Sequence, residues 1–312
     1  MRSIELPRRG AAATGSTILA GAASALLTAM FIPRTAAGLD IPAMMLKPSV
    51  NVVLSVADVE RSKEFYGQVL KLKPMSNLNL PGGFVMTRYQ VGGTEIKLLH
   101  SKATEKTHSG KIDEAIGIRR MTLFFADEQA LVERVKAHGR EAPKFEKEGT
   151  ERGWSRAIAG DPDGNQIELV VPPPGTSDDV YNNIELRLTV GDIEKSRKFY
   201  REFVGFKELE PQKASAAEGG EIFGYRHGNT TINLAGFGGQ LPRHSGRWDA
   251  AFGLRYIQYI VADLDAVSDF AKSSGAKIDT PIFPLGNLAR IMFIADPDGI
   301  INEFVGLPKA PK

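Results

Sequence analysis

Chemistry in this chain rests with a few polar residues set between apolar neighbours on β-rich runs. In residues 185–190, Glu185, Arg187 and Thr189 alternate with Leu186, Leu188 and Val190. Strand side chains point to opposite faces in turn, so the polar three share the face turned away from the apolar three. The same parity places Tyr256 with Gln258. Two further carboxylates, Glu168 and Glu303, each stand seven residues after the start of an Asp-Pro-Asp-Gly turn, at Asp161 and Asp296. A carboxylate on such a face can hold a hard cation or, with its acidity weakened, transfer a proton. An arginine beside it can neutralise it or hold an anionic ligand.

The elements that must position these residues repeat. Asn51 to Asp58, leading into Phe65 and Tyr66, recurs as Glu185 to Asp192 leading into Phe199 and Tyr200, an offset of 134 residues; the Asp-Pro-Asp-Gly turn recurs at an offset of 135. Each opening run ends in an Asp suited to capping a helix, and Val59, Ser62, Phe65, Tyr66 and Val69 then fall on one helical face. The unit recurs within each copy: Arg120 to Asp127 precedes a helix over 128–138, and Tyr256 to Asp263 precedes one over 264–274. Strands over 83–89, 95–99, 220–225 and 231–235, separated by glycine turns, complete a β-α-β-β-β half-unit. The fold class is therefore α+β, four βαβββ units in two tandem modules at 48–172 and 180–308. A linker spans 38–47, and a proline-stiffened one spans 173–179.

With 42% hydrophobic and 24% charged residues, the 312-residue chain has apolar material for two ordinary cores. The net charge is +2, and residues 1–37 supply Arg2, Arg8, Arg9 and Arg34 against Glu5, so the remainder sits near −1. No nucleic-acid footprint follows from that balance. Residues 1–37 read as a signal peptide cleaved near Ala37: Arg8 and Arg9 precede a weakly apolar stretch and a small-residue run. Export to the periplasm or medium by a Sec or a twin-arginine route is expected, with no stable membrane association after cleavage; an N-terminal membrane anchor is the alternative. There is no cysteine, hence no disulfide framework.

Strand, Asp, helix and Phe-Tyr at the start, with Asp-Pro-Asp-Gly-x-x-x-Glu at the end, resemble the vicinal oxygen chelate superfamily over about residues 50–307. That superfamily includes glyoxalase I, extradiol dioxygenases and bleomycin-resistance proteins. The resemblance implies one curved, open sheet per module and, in catalytic relatives, a divalent metal on its concave face. The ligand places it implies are Asn51, Lys97, Arg120 and Glu168 in module 1, and Glu185, Asn233, Tyr256 and Glu303 in module 2.

Module 1 departs from that pattern, because Lys97 and Arg120 cannot donate a lone pair while protonated and would repel a cation. Two readings stand: an Arg120–Glu168 ion pair, joined by Lys97, that closes the pocket, or an anion pocket helped by Arg88 and Arg156. In module 2, Glu185 and Glu303 would bind Mg²⁺, Mn²⁺ or Ca²⁺ in preference to Zn²⁺ or Fe. Without a metal they would share a proton or lean on Arg187. The assigned roles are catalytic for Glu303, Glu185 and Tyr256, substrate-binding for Arg187, Asn233 and Gln258, and metal-binding for Glu185 and Glu303. His100, His108, His138, His227 and His244 all lie off the ligand places, which argues against the two-histidine iron site of extradiol dioxygenases. Trp154 and Trp248 are read as hydrophobic lids or core.

The function expected is a glyoxalase-like isomerase, epimerase or lyase that takes a proton next to the carbonyl of a small oxygenated metabolite. A non-catalytic small-molecule binder of bleomycin-resistance type and a scaffold for protein assembly are the alternatives. The partner is a small-molecule ligand, and a homodimer is left open.

Overall fold

The computed structural model describes residues 38–100, 110–147, 153–214, 216–243 and 248–309. Residues 1–37, expected to be a signal peptide, lie outside the described residues, as do His108 and His244.

The chain enters through a short helix, α1 (Ile41–Met44), and then builds four half-units. The first is β1 (Asn51–Val56), α2 (Val59–Lys63), β2 (Lys73–Asn79), β3 (Val85–Val91) and β4 (Thr94–His100). The second is β5 (Gly117–Phe124), α3 (Glu128–Ala137), β6 (Glu146–Lys147), β7 (Ser155–Gly160) and β8 (Gln166–Val171). The third is β9 (Ile184–Val190), α4 (Ile193–Lys198), β10 (Lys207–Glu208), β11 (Gln212–Lys213), β12 (Glu221–His227) and β13 (Thr230–Gly236). The fourth is β14 (Gly253–Ile260), α5 (Leu264–Ser274), β15 (Lys277–Leu285), β16 (Ala289–Ala295) and β17 (Ile301–Gly306).

The four caps form as expected. Asp58 accepts from the backbone N–H of Glu60 at 3.0 Å, Asp127 from Ala130 at 2.9 Å, Asp192 from Lys195 at 3.1 Å and Asp263 from Ala266 at 2.9 Å. These bonds occupy donors that a helix start leaves open. The helix after Asp58 is not regular, however: α2 passes into a π-helical stretch at Glu64–Val69, and α4 does the same at Phe199–Phe203. The wider turn lets the consecutive residues Phe65 and Tyr66 both point inward, each at most 1% exposed.

The class and the tandem arrangement are those expected, but each sheet is assembled across the two modules. The eight-stranded sheet runs β15-β16-β17-β14-β1-β4-β3-β2, and the nine-stranded sheet runs β10-β12-β13-β9-β5-β8-β7-β6 with β11 on β12. The first half-unit therefore shares a sheet with the fourth, and the second with the third. At each centre two opening strands pair antiparallel, β1 with β14 and β5 with β9. Each opening strand also pairs parallel with the last strand of its own half-unit, for example β1 with β4 and β14 with β17.

Contacts on the helix side join the half-units of one module instead. Tyr66 donates to Asp161 at 2.8 Å and Tyr200 to Asp296 at 3.3 Å, so the Phe-Tyr and Asp-Pro-Asp-Gly motifs are two ends of one staple. Each turn aspartate also accepts backbone N–H groups: Asp163 and Asn165 donate to Asp161, and Asp298 and Ile300 donate to Asp296. Phe203 stacks on Phe270 of α5 with centroids 5.2 Å apart and meets Phe304 edge-on.

The segment at 38–47 is not a free linker. Ile41 and Met44 are buried, and Leu46 donates to the Ile260 carbonyl at 2.8 Å, so the strap lies along the end of β14 and delivers Lys47 to the sheet. The strap meets the β12–β13 turn at Gly228, which has φ +56°. A Cβ there would stand 1.5 Å from the Pro48 carbonyl oxygen, so only glycine fits.

Candidate functional site

The cross-module sheets redistribute the candidate residues. Glu303 on β17, with Tyr256 and Gln258 on β14, lies in the eight-stranded sheet; Glu185 and Arg187 on β9, with Asn233 on β13, lie in the nine-stranded sheet. The pairing of Glu185 with Glu303 in one module 2 pocket is therefore corrected. Sequence periodicity shows that four half-units are alike, and likeness does not say which two pair.

On the eight-stranded sheet, side chains on the face away from the helices form a hydrogen-bonded row. Lys97 Nζ donates to Gln258 Oε1 at 2.6 Å, Asn51 Nδ2 donates to the same oxygen at 2.7 Å, and Gln258 Nε2 donates to Glu303 Oε2 at 2.6 Å. Lys47 Nζ donates to Asn51 Oδ1, and the Glu95 backbone N–H donates to that oxygen at 3.0 Å. Glu95 is met by Lys97 and Lys47, each at 3.5 Å, and by Arg88 at 3.2 Å. Lys97 belongs to this row and takes no part in an Arg120–Glu168 pair.

Electrostatics follow from burial and from these partners. Glu303 is 4% exposed, and burial pushes its carboxyl up to about 7 against the opposing pull of Gln258 and Lys97. Burial lowers the Lys97 ammonium, with Glu95 and Glu303 opposing. Burial also resists ionisation of Glu95, but Lys97, Lys47 and Arg88 together hold its carboxyl below the usual range.

Beside Glu303 lies an apolar wall. Val53, Tyr256, Ile291, Phe293, Ala295 and Ile301 form a buried cluster, with the half-buried Trp248 and Phe283 packed on it. Trp248 stacks on Phe293 at 5.3 Å, and Tyr256 meets both rings edge-on. Burial, then the nearby Glu303 charge, raises the Tyr256 hydroxyl well above 10, so it stays protonated at neutral pH.

The nine-stranded sheet holds a different set. The Arg120–Glu168 pair forms at 3.6 Å, but Arg120 also grips Glu218 through Nη1 and Nη2 at 3.1 and 3.3 Å. Glu168 additionally receives Thr122 Oγ1 at 2.7 Å and Arg156 at 3.2 Å. Arg187 leans on Glu218, by 3.5 Å to its carboxylate and 3.1 Å to its carbonyl. Asn233 Nδ2 donates to Glu185 at 2.9 Å. Burial, then Glu168, raises the Glu185 carboxyl. Trp154 packs edge-on against Phe124 at 5.7 Å.

Lys47, Glu95, Thr122 and Glu218 were not among the sequence candidates. Glu95 was reachable, because it stands two residues from Lys97 and must share its face. Lys47 and Glu218 arrive from outside regular strands, where periodicity carries no information.

Among the described residues neither face gathers a metal-ligand set: no group of three His, Asp or Glu side chains is placed to hold an ion. At the implied places the eight-stranded sheet presents Asn51, Lys97, Tyr256 and Glu303, and the nine-stranded sheet presents Glu185, Asn233, Arg120 and Glu168. Each set contains a fixed cation, and the Gln258 amide oxygen beside Glu303 is already taken by Lys97 and Asn51. These residues do not fit a divalent cation.

The buried Glu303 and Asp296 carboxyls, both raised to about 7, favour the neutral form in the folded chain. Their contribution to stability is full below the unfolded values near 4 and is lost as pH rises through about 7. Urea unfolding is expected to show stability falling between pH 5 and 8 by up to roughly 3 kcal/mol per group. In Glu303→Gln its share of that slope should disappear.

The fold and its motifs match known proteins. The model of the Glyoxalase/Bleomycin resistance protein/Dioxygenase superfamily matches residues 49–169 and 183–304, and the chain belongs to that superfamily. A lactoylglutathione lyase of Oryza sativa subsp. japonica is 25% identical over 278 residues, covering 84% of this chain and 90% of its own length. Glyoxalase 1 of Caenorhabditis briggsae is 22% identical over 282 residues, covering 84% of this chain and 89% of its own. The structure of glyoxalase I from Zea mays superposes with a TM-score of 0.63 at 23% identity, covering 84% of this chain and 92% of that one, and shares the fold. The Oryza sativa relative is a lyase by name and the other two are glyoxalases, in line with the expectation of lyase or isomerase chemistry of glyoxalase type.

Proposed function

We propose that the chain is an exported enzyme that moves a proton next to the carbonyl of a small oxygenated metabolite, on the eight-stranded sheet, with Glu303 as the proton-transfer group. The observation that carries this reading is a buried carboxyl near 7, set between a hydrogen-bonding amide and an aromatic wall. A group of that acidity is part ionised at neutral pH and can both take and return a proton. In the step, Glu303 removes the proton, the C–H electron pair enters an enolate, and the protonated carboxyl returns the proton to the same or the neighbouring carbon.

The lyases among the relatives suggest the first substrate to try. In D₂O, lactoylglutathione should exchange the hydrogen next to its thioester carbonyl, seen by proton NMR, and a panel of α-hydroxy aldehydes and ketones extends the search. A second reading, a non-catalytic binder, is favoured by the carboxylates of the nine-stranded sheet, which are held by neighbouring side chains: Glu168 by Arg120 and Arg156, and Glu185 by Asn233. Binding of panel compounds with no exchange would select the binder. Export is part of the proposal: the protein recovered from the periplasm should begin near Gly38, and a product beginning at Met1 overturns it.

A further inference from the structure

We propose that the eight-stranded sheet supplies its own cation: Lys97, flanked by Lys47 and Arg88, binds the ionised oxygen of a small carboxylate or enolate directly and stands in for a divalent metal. The proposal rests on the reading that Glu303 lies on the reactive face, and it deepens that reading by naming the charge of the ligand.

Three observations carry it. The Lys97 side chain is 6% exposed and lies in the same row as Glu303, two bonds along through Gln258. A buried ammonium there repels any cation close by and attracts an anion in a medium that screens both weakly. Charge balance agrees, because Lys47, Lys97 and Arg88 outnumber Glu95 and Glu303 on this face. On the nine-stranded sheet Arg120, Arg156 and Arg187 are equal in number to Glu168, Glu185 and Glu218, with the arginines paired to Glu168 and Glu218 and Glu185 held by Asn233. Among the described residues, only the eight-stranded face of these two is short of negative charge.

Access agrees as well. Lys47, Arg88 and Glu95 keep 19%, 16% and 15% of their side chains exposed, so the cationic row opens to solvent on their side. An ammonium has three donors, and Gln258 and Glu95 take two of those of Lys97 among the described residues. An incoming carboxylate can take the third, with Lys47 and Arg88 turning from Glu95 to meet it. Such charge-assisted bonds are stronger than neutral ones.

The test uses the full mature chain and needs no turnover, so it can fail independently of the exchange experiment. The protein is dialysed against Mn²⁺ and, separately, Ni²⁺, and its metal content is measured; oxalate, a planar dianion resembling an enolate, is titrated by calorimetry. The expected wild type retains no stoichiometric metal and binds oxalate. Lys97→Met should weaken oxalate roughly 10- to 100-fold, the effect of deleting a charged hydrogen-bond donor. Lys97→Glu should lose oxalate and gain a divalent ion together with Glu303. Stoichiometric metal in the wild type that Glu303→Gln releases would overturn the proposal. So would an absence of oxalate binding, or equal affinity in wild type and Lys97→Met. Circular dichroism checks that the variants fold; should they not, Lys47→Gln and Arg88→Gln, nearer the solvent, must each weaken oxalate, and unchanged affinity in both refutes the anion site.

Discussion

Glu303→Gln is expected to slow wash-in of solvent deuterium at the carbon next to the carbonyl by roughly 10²- to 10⁴-fold, the usual contribution of a positioned acid–base group. The amide is nearly isosteric, and its oxygen can still accept from Gln258 Nε2, the donor that now stands 2.6 Å from Glu303. The loss should therefore fall on the rate while ligand affinity changes little, a pattern that marks an interaction made in the transition state. The wild-type pH profile should rise through about 7 as Glu303 ionises and becomes able to accept a proton. Exchange that persists at the wild-type rate in Glu303→Gln would remove this residue from the chemistry.

Gly228→Ala should cost more stability than any other single exchange considered for this chain. At φ +56° an alanine is strained by about 1–2 kcal/mol before any contact is counted. Its Cβ would also lie 1.5 Å from the Pro48 carbonyl oxygen, so the strap or the turn must move. A total loss above roughly 3 kcal/mol is expected from urea midpoints, strain and forced backbone displacement together. Gly275→Ala is the comparison: it has φ +73° with open space around it and should show the conformational part alone. Equal losses in the two variants would mean that the strap yields freely. Because Pro48 follows Lys47, a displaced strap should also weaken the cationic row.

Much of the fold could be read from the residues, and the reasons are local. Asp58, Asp127, Asp192 and Asp263 announce helix starts through chemistry confined to a few neighbouring positions. Alternation in Glu185 to Val190 and in Tyr256 to Gln258 assigns faces for the same reason. What four similar half-units cannot disclose is partnership, since β1 carries edge groups that any opening strand could pair. Glu185 and Glu303 were placed together on that account, while the sheets hold them apart. The inward role of Glu95 was readable by parity, whereas Glu218 reaches Arg120 from a short 3-10 turn at Ala216–Glu218 that no periodicity marks.

The alternation of sheet seams and helix-side staples closes the four half-units into a cycle. Sheets join the first to the fourth and the second to the third, and the Tyr66–Asp161 and Tyr200–Asp296 staples join the first to the second and the third to the fourth. A module severed at residues 173–179 would keep its staple but bare two apolar strand edges, β1 and β5 in one piece, β9 and β14 in the other. Bare edges of that kind seek partners. The covalent linker thus does the work that subunit recognition would do in an assembly of single modules: it holds two unlike halves together, and so lets the two faces diverge in charge.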